Sequence, residues 1–292
     1  MITRFAPSPT GPLHLGHAYS ALLAHDWAME NGGDFLLRIE DIDQSRARPE
    51  WEAQIYDDLA WLGLWWPEPV MRQSDRMDVY RKKLDYLWGF DYAYACSCSR
   101  RDIEAAASAP QEGAPIGPDG LIYPGTCRDV RSLSESVPRP PNTSLRLWLK
   151  RTSIFMDTRP GEGQVLSFNE TGHGPNGETG LIEFTLEDAI RDIGDFVIER
   201  RDMGSSYHLS VVLDDAAQGV THVVRGQDMF EATKIHVILQ KFFRMPTPTY
   251  HHHPLIRDET GKRLAKRDDA RAISKYREDG ASPEDIRAMV GL

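Results

Sequence analysis

Apolar and polar positions along this chain alternate at two different periods, and the changes of period mark its elements. Ile2 to Phe5 reads as a short strand. After a loop punctuated by Pro7, Pro9, Gly11 and Pro12, apolar Leu15, Tyr19, Leu22, Leu23 and Trp27 recur near helical spacing, which predicts a helix from about residue 15 to 29. A second strand is expected at Phe35 to Ile39, then helices over about 49–62 (Trp51, Ile55, Leu59, Leu62) and 75–88 (Met77, Tyr80, Leu84, Leu87). Strands alternating with helices in this way point to a parallel α/β sheet.

From about Tyr92 the pattern changes to a cysteine pair, a small alanine-rich helix near 103–107 and a stretch over 110–141 crowded with proline and glycine. Strand-like runs at 145–149 and 196–198 enclose a glycine-rich segment, Gly161 to Gly180, which reads as hairpins and a mobile loop with no assignable role. The α/β pattern returns with Tyr207 to Leu213, read as a buried strand ending in Asp214 and Asp215, then a strand over 221–225 and a helix over about 229–243. The expected fold is therefore α/β, a Rossmann-like parallel sheet split by an inserted α+β module. Residues 1–92 and 196–250 would form its halves, 93–195 the insertion, and 251–292 a basic loop followed by a short helical extension.

Composition narrows the class without changing this layout. The 292 residues are 40% hydrophobic and 27% charged, as in a soluble globular protein, and the formal net charge of −10 means that any bound nucleic acid must meet a local basic patch. No apolar run approaches the ~20 residues of a membrane span and no leader opens the chain, so a cytoplasmic protein with no membrane and no DNA partner is expected. The three cysteines, Cys96, Cys98 and Cys127, make a poor disulfide framework but a possible metal site.

The most informative chemistry lies at His14-Leu15-Gly16-His17, two imidazoles around a glycine at a helix start. Unpaired backbone N–H groups and two histidines there suit a nucleotide's phosphates, and Gly16 would let a base approach; by spacing alone both histidines could equally be cap and core residues. Neither standard glycine phosphate loop occurs. A basic segment, Lys262 to Arg267, follows the second α/β half, and a parallel sheet split by an insertion would bring it to the same carboxyl edge as the first strand–helix turn.

Taken together, these segments resemble the class I aminoacyl-tRNA synthetases, and within them the glutamyl branch. His14 to His17 is similar to the first class I motif, and Arg263-Leu264-Ala265-Lys266-Arg267 to the second. The branch shows in Arg4 to Gly11, Leu37 to Asp43, Tyr207 to Asp215, Thr221 to Asp228 and Tyr250 to Ile256. The resemblance implies an ATP-dependent ligase in which His14, His17 and Lys266 are catalytic and His14, Gly16, His17, Arg263 and Lys266 meet ATP, with Mg2+ entering with the nucleotide. It implies further that Arg4, Phe5, Ala6, Pro7, Ser8, Glu40, Tyr207 and Arg225 hold L-glutamate. Arg263 and Ala265 depart from the commonest residues of the second motif, lysine and serine.

Only 26 residues follow Lys266. In this the chain resembles the truncated group of the branch, which activates glutamate without tRNA and attaches it to the queuosine base in the anticodon of tRNA(Asp). An enzyme that charges an ordinary tRNA 3′ end, a nucleotidyltransferase with the same histidine motif and a non-catalytic RNA-binding relative are the alternatives. Cys96, Cys98, Tyr123 and Cys127 are similar to that group's zinc site, one structural Zn2+ per chain; three ordinary thiols are the other reading. Asp41, Asp43, Asp214 and Asp215 are expected to cap helices or bind arginines, and the tryptophans, Trp61, Trp65 and Trp66 among them, to pack the core.

Overall fold

The computed structural model describes residues 1–107, 116–128, 138–156, 165–256 and 271–292. Strand β1 (Ile2–Phe5) pairs in parallel with β2 (Asp34–Ile39), which pairs in parallel with β3 (Met71–Arg72). Helix α1 (Leu15–Glu30) crosses from β1 to β2, and α2 (Pro49–Trp61) from β2 to β3, before α3 (Met77–Gly89) leaves the sheet. All but β3, which the sequence reading does not contain, follow the predicted segments within about two residues.

The inserted module contains β4 (Ala93–Cys96), α4 (Arg100–Ala107), the two-residue strands β5 (Ile116–Gly117) and β6 (Gly120–Leu121), β7 (Ser144–Leu147) and α5 (Leu149–Met156). The run at 145–149 thus divides: β7 ends at Leu147 and Leu149 opens a helix. Strands β8 (Val165–Glu170) and β9 (Gly180–Thr185) form an antiparallel hairpin, followed by α6 (Leu186–Asp192) and β10 (Val197–Glu199). β10, β7 and β4 make a three-stranded antiparallel sheet. Hairpin β8–β9, which the sequence places inside the insertion, joins the other sheet.

Helix α7 (Tyr207–Ala217) corrects the sequence reading, which makes this segment a strand. Residues 208–215 are all buried, so no polar face interrupts the apolar run and periodicity cannot tell helix from strand. The discriminating signal is Ser206, whose hydroxyl accepts the Leu209 N–H as an N-cap. Then come β11 (His222–Gly226), α8 (Ala232–Phe242), β12 (Thr249–His253), α9 (Ile273–Glu278) and α10 (Pro283–Val290).

β11 pairs in parallel with β12, and β12 with β8 through Tyr250 opposite Glu170. At the other side of β11 its starting end meets that of β1: the Thr221 N–H donates to the Ile2 carbonyl at 2.9 Å, and the Ile2 N–H to the Thr221 hydroxyl at 2.8 Å. The strands therefore run β3-β2-β1-β11-β12-β8-β9, and between β1 and β11 the connections turn in opposite directions. Open parallel sheets bind ligands at the carboxyl ends of their strands at such a switch.

Each face of the sheet is covered by its own apolar cluster. One gathers α1, α2 and α10 around Leu22, Phe35 and Ile286, and the other gathers α3, α7 and α8 around Tyr80, Leu209 and Ile238. Trp61 and Trp66 pack partly buried against the first cluster, whereas Trp65 is 65% exposed and is not a packing residue. No helix among the described residues is long and apolar enough to cross a membrane.

One buried acid opposes the fold. Asp58 on α2 is fully buried, and neither carboxylate oxygen has a hydrogen-bond partner among the described residues. Burial, reinforced by the neighbouring Asp57 and partly offset by Arg277, pushes its pKa up from 3.8 to about 6. Because the folded-state value lies above the unfolded one, the carboxyl is harmless below pH 4 and destabilises the fold as pH rises through 6. Asp58→Asn is therefore expected to gain about 2 kcal/mol over the wild type between pH 4 and pH 8. Urea unfolding at both values checks this, and an equal gap between the two proteins at each pH would refute it.

Candidate active site

The switch between β1 and β11 opens into a pocket of about 120 Å3 lined by Arg4, Phe5, Ala6, Ser20, Glu40, Tyr207, Val224, Arg225 and Met229. Six of the eight residues expected to hold the amino acid thus face one cavity, while Pro7 and Ser8 continue the loop beyond it. They arrive from separate parts of the fold: Arg4 and Phe5 from the end of β1 with Ala6 just after it, Glu40 just after β2, Tyr207 from the first turn of α7 and Arg225 from β11.

The charges of this pocket are almost wholly buried and therefore paired. Arg4 Nε donates to Asp215 Oδ1 at 3.1 Å, and Arg38 Nη1 reaches the same oxygen at 2.7 Å. Arg38 Nη2 in turn donates to Glu40 Oε1 at 3.1 Å. Burial raises the Asp215 carboxyl, but the Arg4 and Arg38 guanidiniums outweigh it and hold the group below its usual range. Burial dominates at Glu40, whose pKa rises despite Arg38 and Arg4.

The expectation that Asp214 and Asp215 bind arginines holds, though from inside a helix rather than at a strand end. Asp214 accepts from Arg76 Nε, Gln73 and the Tyr80 hydroxyl. Asp41 accepts the Ser74 N–H, and Asp43 accepts from Ser45 and Arg46.

Across the pocket, Arg225 is held by side chains to which the sequence reading gives no role, although His252 lies in a segment that carries the resemblance. Its Nε donates to His252 Nε2 (3.1 Å), Nη1 to His236 Nδ1 (3.2 Å), and Nη2 to the Thr233 hydroxyl (2.6 Å) and the Met229 carbonyl (3.2 Å). Four of its five N–H donors thus have acceptors among the described residues, while the group still lines the cavity. Burial, then the adjacent Arg225, hold His236 well below its ordinary pKa. Burial likewise lowers His252 to about 4, although Glu170 opposes it.

Glu170 Oε2 lies 2.5 Å from His252 Nδ1, while its other oxygen accepts the His252 and Gly172 N–H groups. Part of the unassigned glycine-rich stretch is explained here. A Cβ on Gly172 would lie 2.2 Å from the His252 carbonyl, so only glycine lets the hairpin close against β12. The flanking His251 and His253 point the other way, to Trp27 (rings 4.3 Å apart) and to Ser20 Oγ (2.7 Å) on α1.

His14 is the N-cap of α1. Its Nδ1 accepts the Gly16 N–H, His17 Nδ1 accepts the His14 N–H, and the two rings stand 3.8 Å apart. Gly16 makes this possible, since a Cβ there would lie 3.1 Å from the His14 ring. The structure thus shows both histidines capping α1, one turn before Ser20, which lines the pocket. Arg263, Ala265 and Lys266 lie outside the described residues; just beyond that segment, the Ile273 N–H donates to the Leu13 carbonyl beside His14.

Away from the pocket, the Cys96, Cys98 and Cys127 sulfurs lie within 4.8 Å of one another. Cys98 Sγ is 3.5 Å from Cys127 Sγ and 3.4 Å from the Tyr123 hydroxyl, which accepts the Cys127 N–H at 2.8 Å. Burial raises Cys98 to about 11; it also acts on Cys127, but hydrogen bonds from Tyr123 and Ser97 hold that thiol down to about 7. The Arg146 guanidinium lies 3.9 Å over the Tyr123 ring and donates to Cys96 Sγ, a fixed cation beside the cluster. Tetrahedral zinc thiolates stand about 3.8 Å apart, so these four residues could close on one metal with small side-chain shifts.

Residues 1–292 match the family model described as the catalytic domain of class I tRNA synthetases (E and Q). The chain is 61% identical, over its whole length and that of the relative, to a glutamyl-Q tRNA(Asp) synthetase from Rhodobacter capsulatus. It is 35% identical to a glutamate–tRNA ligase from Aquifex aeolicus, with 97% of this chain matching 54% of that protein. Among solved structures it is similar to a glutamate tRNA ligase from Elizabethkingia meningosepticum in complex with its amino acid, with a TM-score of 0.72 and 26% identity, and spans 60% of that chain. With the switch-point pocket in place and both α/β halves accounted for, the chain belongs to the class I tRNA synthetases of the E and Q type.

Proposed function

We propose that this enzyme activates L-glutamate with ATP to glutamyl-adenylate without tRNA, and then transfers the glutamyl group to queuosine in the anticodon of tRNA(Asp), in the cytoplasm. The observation that carries the first half is the charge of the pocket. The guanidiniums of Arg4 and Arg225 and the carboxyl of Glu40 line one cavity, the complement of an amino acid with two carboxylates and one ammonium. Glu40 would accept from the ammonium, Arg225 and Tyr207 would hold one carboxylate, and Arg4 and Ser8 would face the end that reacts. The acceptor rests on the relative from Rhodobacter capsulatus, similar from end to end.

The chemistry needs no protein nucleophile. The α-carboxylate oxygen of glutamate attacks the α-phosphorus of ATP, the bond to the bridging oxygen breaks, and pyrophosphate leaves with Mg2+. What the chain supplies is alignment and charge: His14, His17 and the first N–H groups of α1 toward the phosphates, and Lys266 on the developing negative charge. Glutamate-dependent ATP–pyrophosphate exchange without tRNA, run beside glutamine and aspartate, tests this. Exchange with glutamate alone is expected; exchange that appears only with tRNA(Glu) would overturn tRNA independence, and none under any condition would overturn the activity.

Cys96, Cys98, Tyr123 and Cys127 would hold one structural Zn2+, which would fasten the insertion and take no part in the reaction. Protein purified without chelator is expected to carry about one zinc per chain, and Cys127→Ala to lose both metal and several degrees of melting temperature. A metal-free wild type with the same melting temperature would refute a structural zinc.

A further inference from the structure

The hydrogen bonds around Arg225 do not end at its first neighbours. On one side His236 Nε2 lies 3.1 Å from His208 Nδ1, and His208 Nε2 lies 2.8 Å from Asp119 Oδ1. On the other side His252 passes from Arg225 to Glu170. A single line thus runs Asp119–His208–His236–Arg225–His252–Glu170, with a carboxylate at each end and a guanidinium in the middle. His208, His236, Arg225, His252 and Glu170 are all buried; only the Asp119 side chain, 48% exposed, reaches solvent.

Donor and acceptor counting fixes the proton on every ring. The Asp119 carboxylate only accepts, so His208 carries its proton on Nε2 and presents a bare Nδ1. His236 must then donate from Nε2, which leaves its Nδ1 bare toward Arg225, and a guanidinium only donates. The same logic makes His252 donate from Nδ1 to Glu170 and accept from Arg225 at Nε2. All three imidazoles are neutral in this arrangement. An added proton on His208 or His236, or a reversed tautomer, would set two N–H groups facing each other in a buried site.

Asp119 does not belong to the catalytic domain by sequence. It sits in the turn between β5 and β6, four residues before Tyr123 and eight before Cys127, in the same module as the cysteines. The module is closely packed around this turn: Tyr123 bridges to Gly194, and a Cβ on Gly117 would lie 2.6 Å from the Asp192 carbonyl, while the Asp119–His208 contact carries the turn across to α7.

We propose that Asp119 is a positioning residue for substrate binding: through His208 and His236 it sets the acceptor that holds Arg225 in the pocket, and so ties amino-acid affinity to the seating of the inserted module. The inference rests on Arg225 binding glutamate. Because Asp119 is half-exposed, its removal opens no cavity, and the loss is expected in one kinetic constant only. Asp119→Ala should raise KM for glutamate about three- to tenfold, the size of one hydrogen bond in a buried line, with KM for ATP and the melting temperature unchanged. Asp119→Asn, whose amide oxygen still accepts from His208, should stay within about twofold of the wild type.

The test joins exchange kinetics of the wild type and both variants to nitrogen NMR of 15N-histidine protein. The wild type is expected to show His208 and His236 as neutral Nε2–H tautomers, and Asp119→Ala to lose that preference at His208. An unchanged KM for glutamate in Asp119→Ala, parallel losses for glutamate and ATP, or an Nδ1–H tautomer at His236 would each overturn the proposal. A wild type that shows no glutamate-dependent exchange would instead sink the substrate reading, and the tautomers, measured without substrate, would still decide whether the line exists.

Discussion

Arg225→Ala is expected to lower kcat/KM for glutamate by about 10^2–10^3-fold while KM for ATP stays within about twofold. Two losses combine. The pocket gives up the cation opposite a substrate carboxylate, and four acceptors built around the guanidinium, His252, His236, Thr233 and the Met229 carbonyl, are left facing a buried gap. Arg225→Lys separates these effects. An ammonium restores the charge but has only three donors and no planar fork, so it cannot serve His252, His236 and the substrate in one geometry. Recovery of less than a tenth of the wild-type activity is expected. Exchange kinetics check both variants, and an Arg225→Ala enzyme within tenfold of the wild type would place the glutamate elsewhere.

Lys266→Ala is expected to act on the other constant. Its charge would matter as negative charge grows on the transferred phosphate, so kcat for exchange should fall about 10^2–10^3-fold, with glutamate affinity unchanged in equilibrium dialysis. Equal losses in rate and affinity would mean that the lysine supports the fold instead. The described residues on either side of the basic segment meet the chain around the first turns of α1: the Ile273 N–H donates to the Leu13 carbonyl, and His253 Nε2 lies 2.7 Å from Ser20 Oγ.

The first half of the sheet and helix α8 were legible because apolar residues recur there at helical spacing between short apolar strands, and the pocket residues were legible only through the resemblance to the glutamyl branch. Helix α7 was not legible, since burial on all sides erased its period, and a cap of one serine is a weak signal against a run of valine and leucine. The β8–β9 hairpin takes in part of the glycine-rich segment, where hairpins were expected, but nothing local says that Glu170 will reach His252 across 82 residues. Arg38 carries a usable signal, a charge inside the apolar strand β2 with Glu40 two residues on, just past the strand's end, at the spacing that puts both on one side of the chain. His236 gave no such sign, and His252 only as part of the segment Tyr250 to Ile256, because a histidine becomes a site residue only through what it faces.

Strand β1 sits in the middle of the sheet, yet its second neighbour is separated from it by 219 residues. On a ribosome adding about 5–20 residues per second, one edge of β1 stays unpaired for about 10–40 s after it emerges. Throughout that interval the nascent chain carries α1, β2 and α2 with half of a core and an open strand edge, the kind of surface that pairs with other chains. Synthesis, more than the finished enzyme, is therefore where this fold is vulnerable. A slow stretch of translation before β11 would lengthen that exposure, and one after β12 would not.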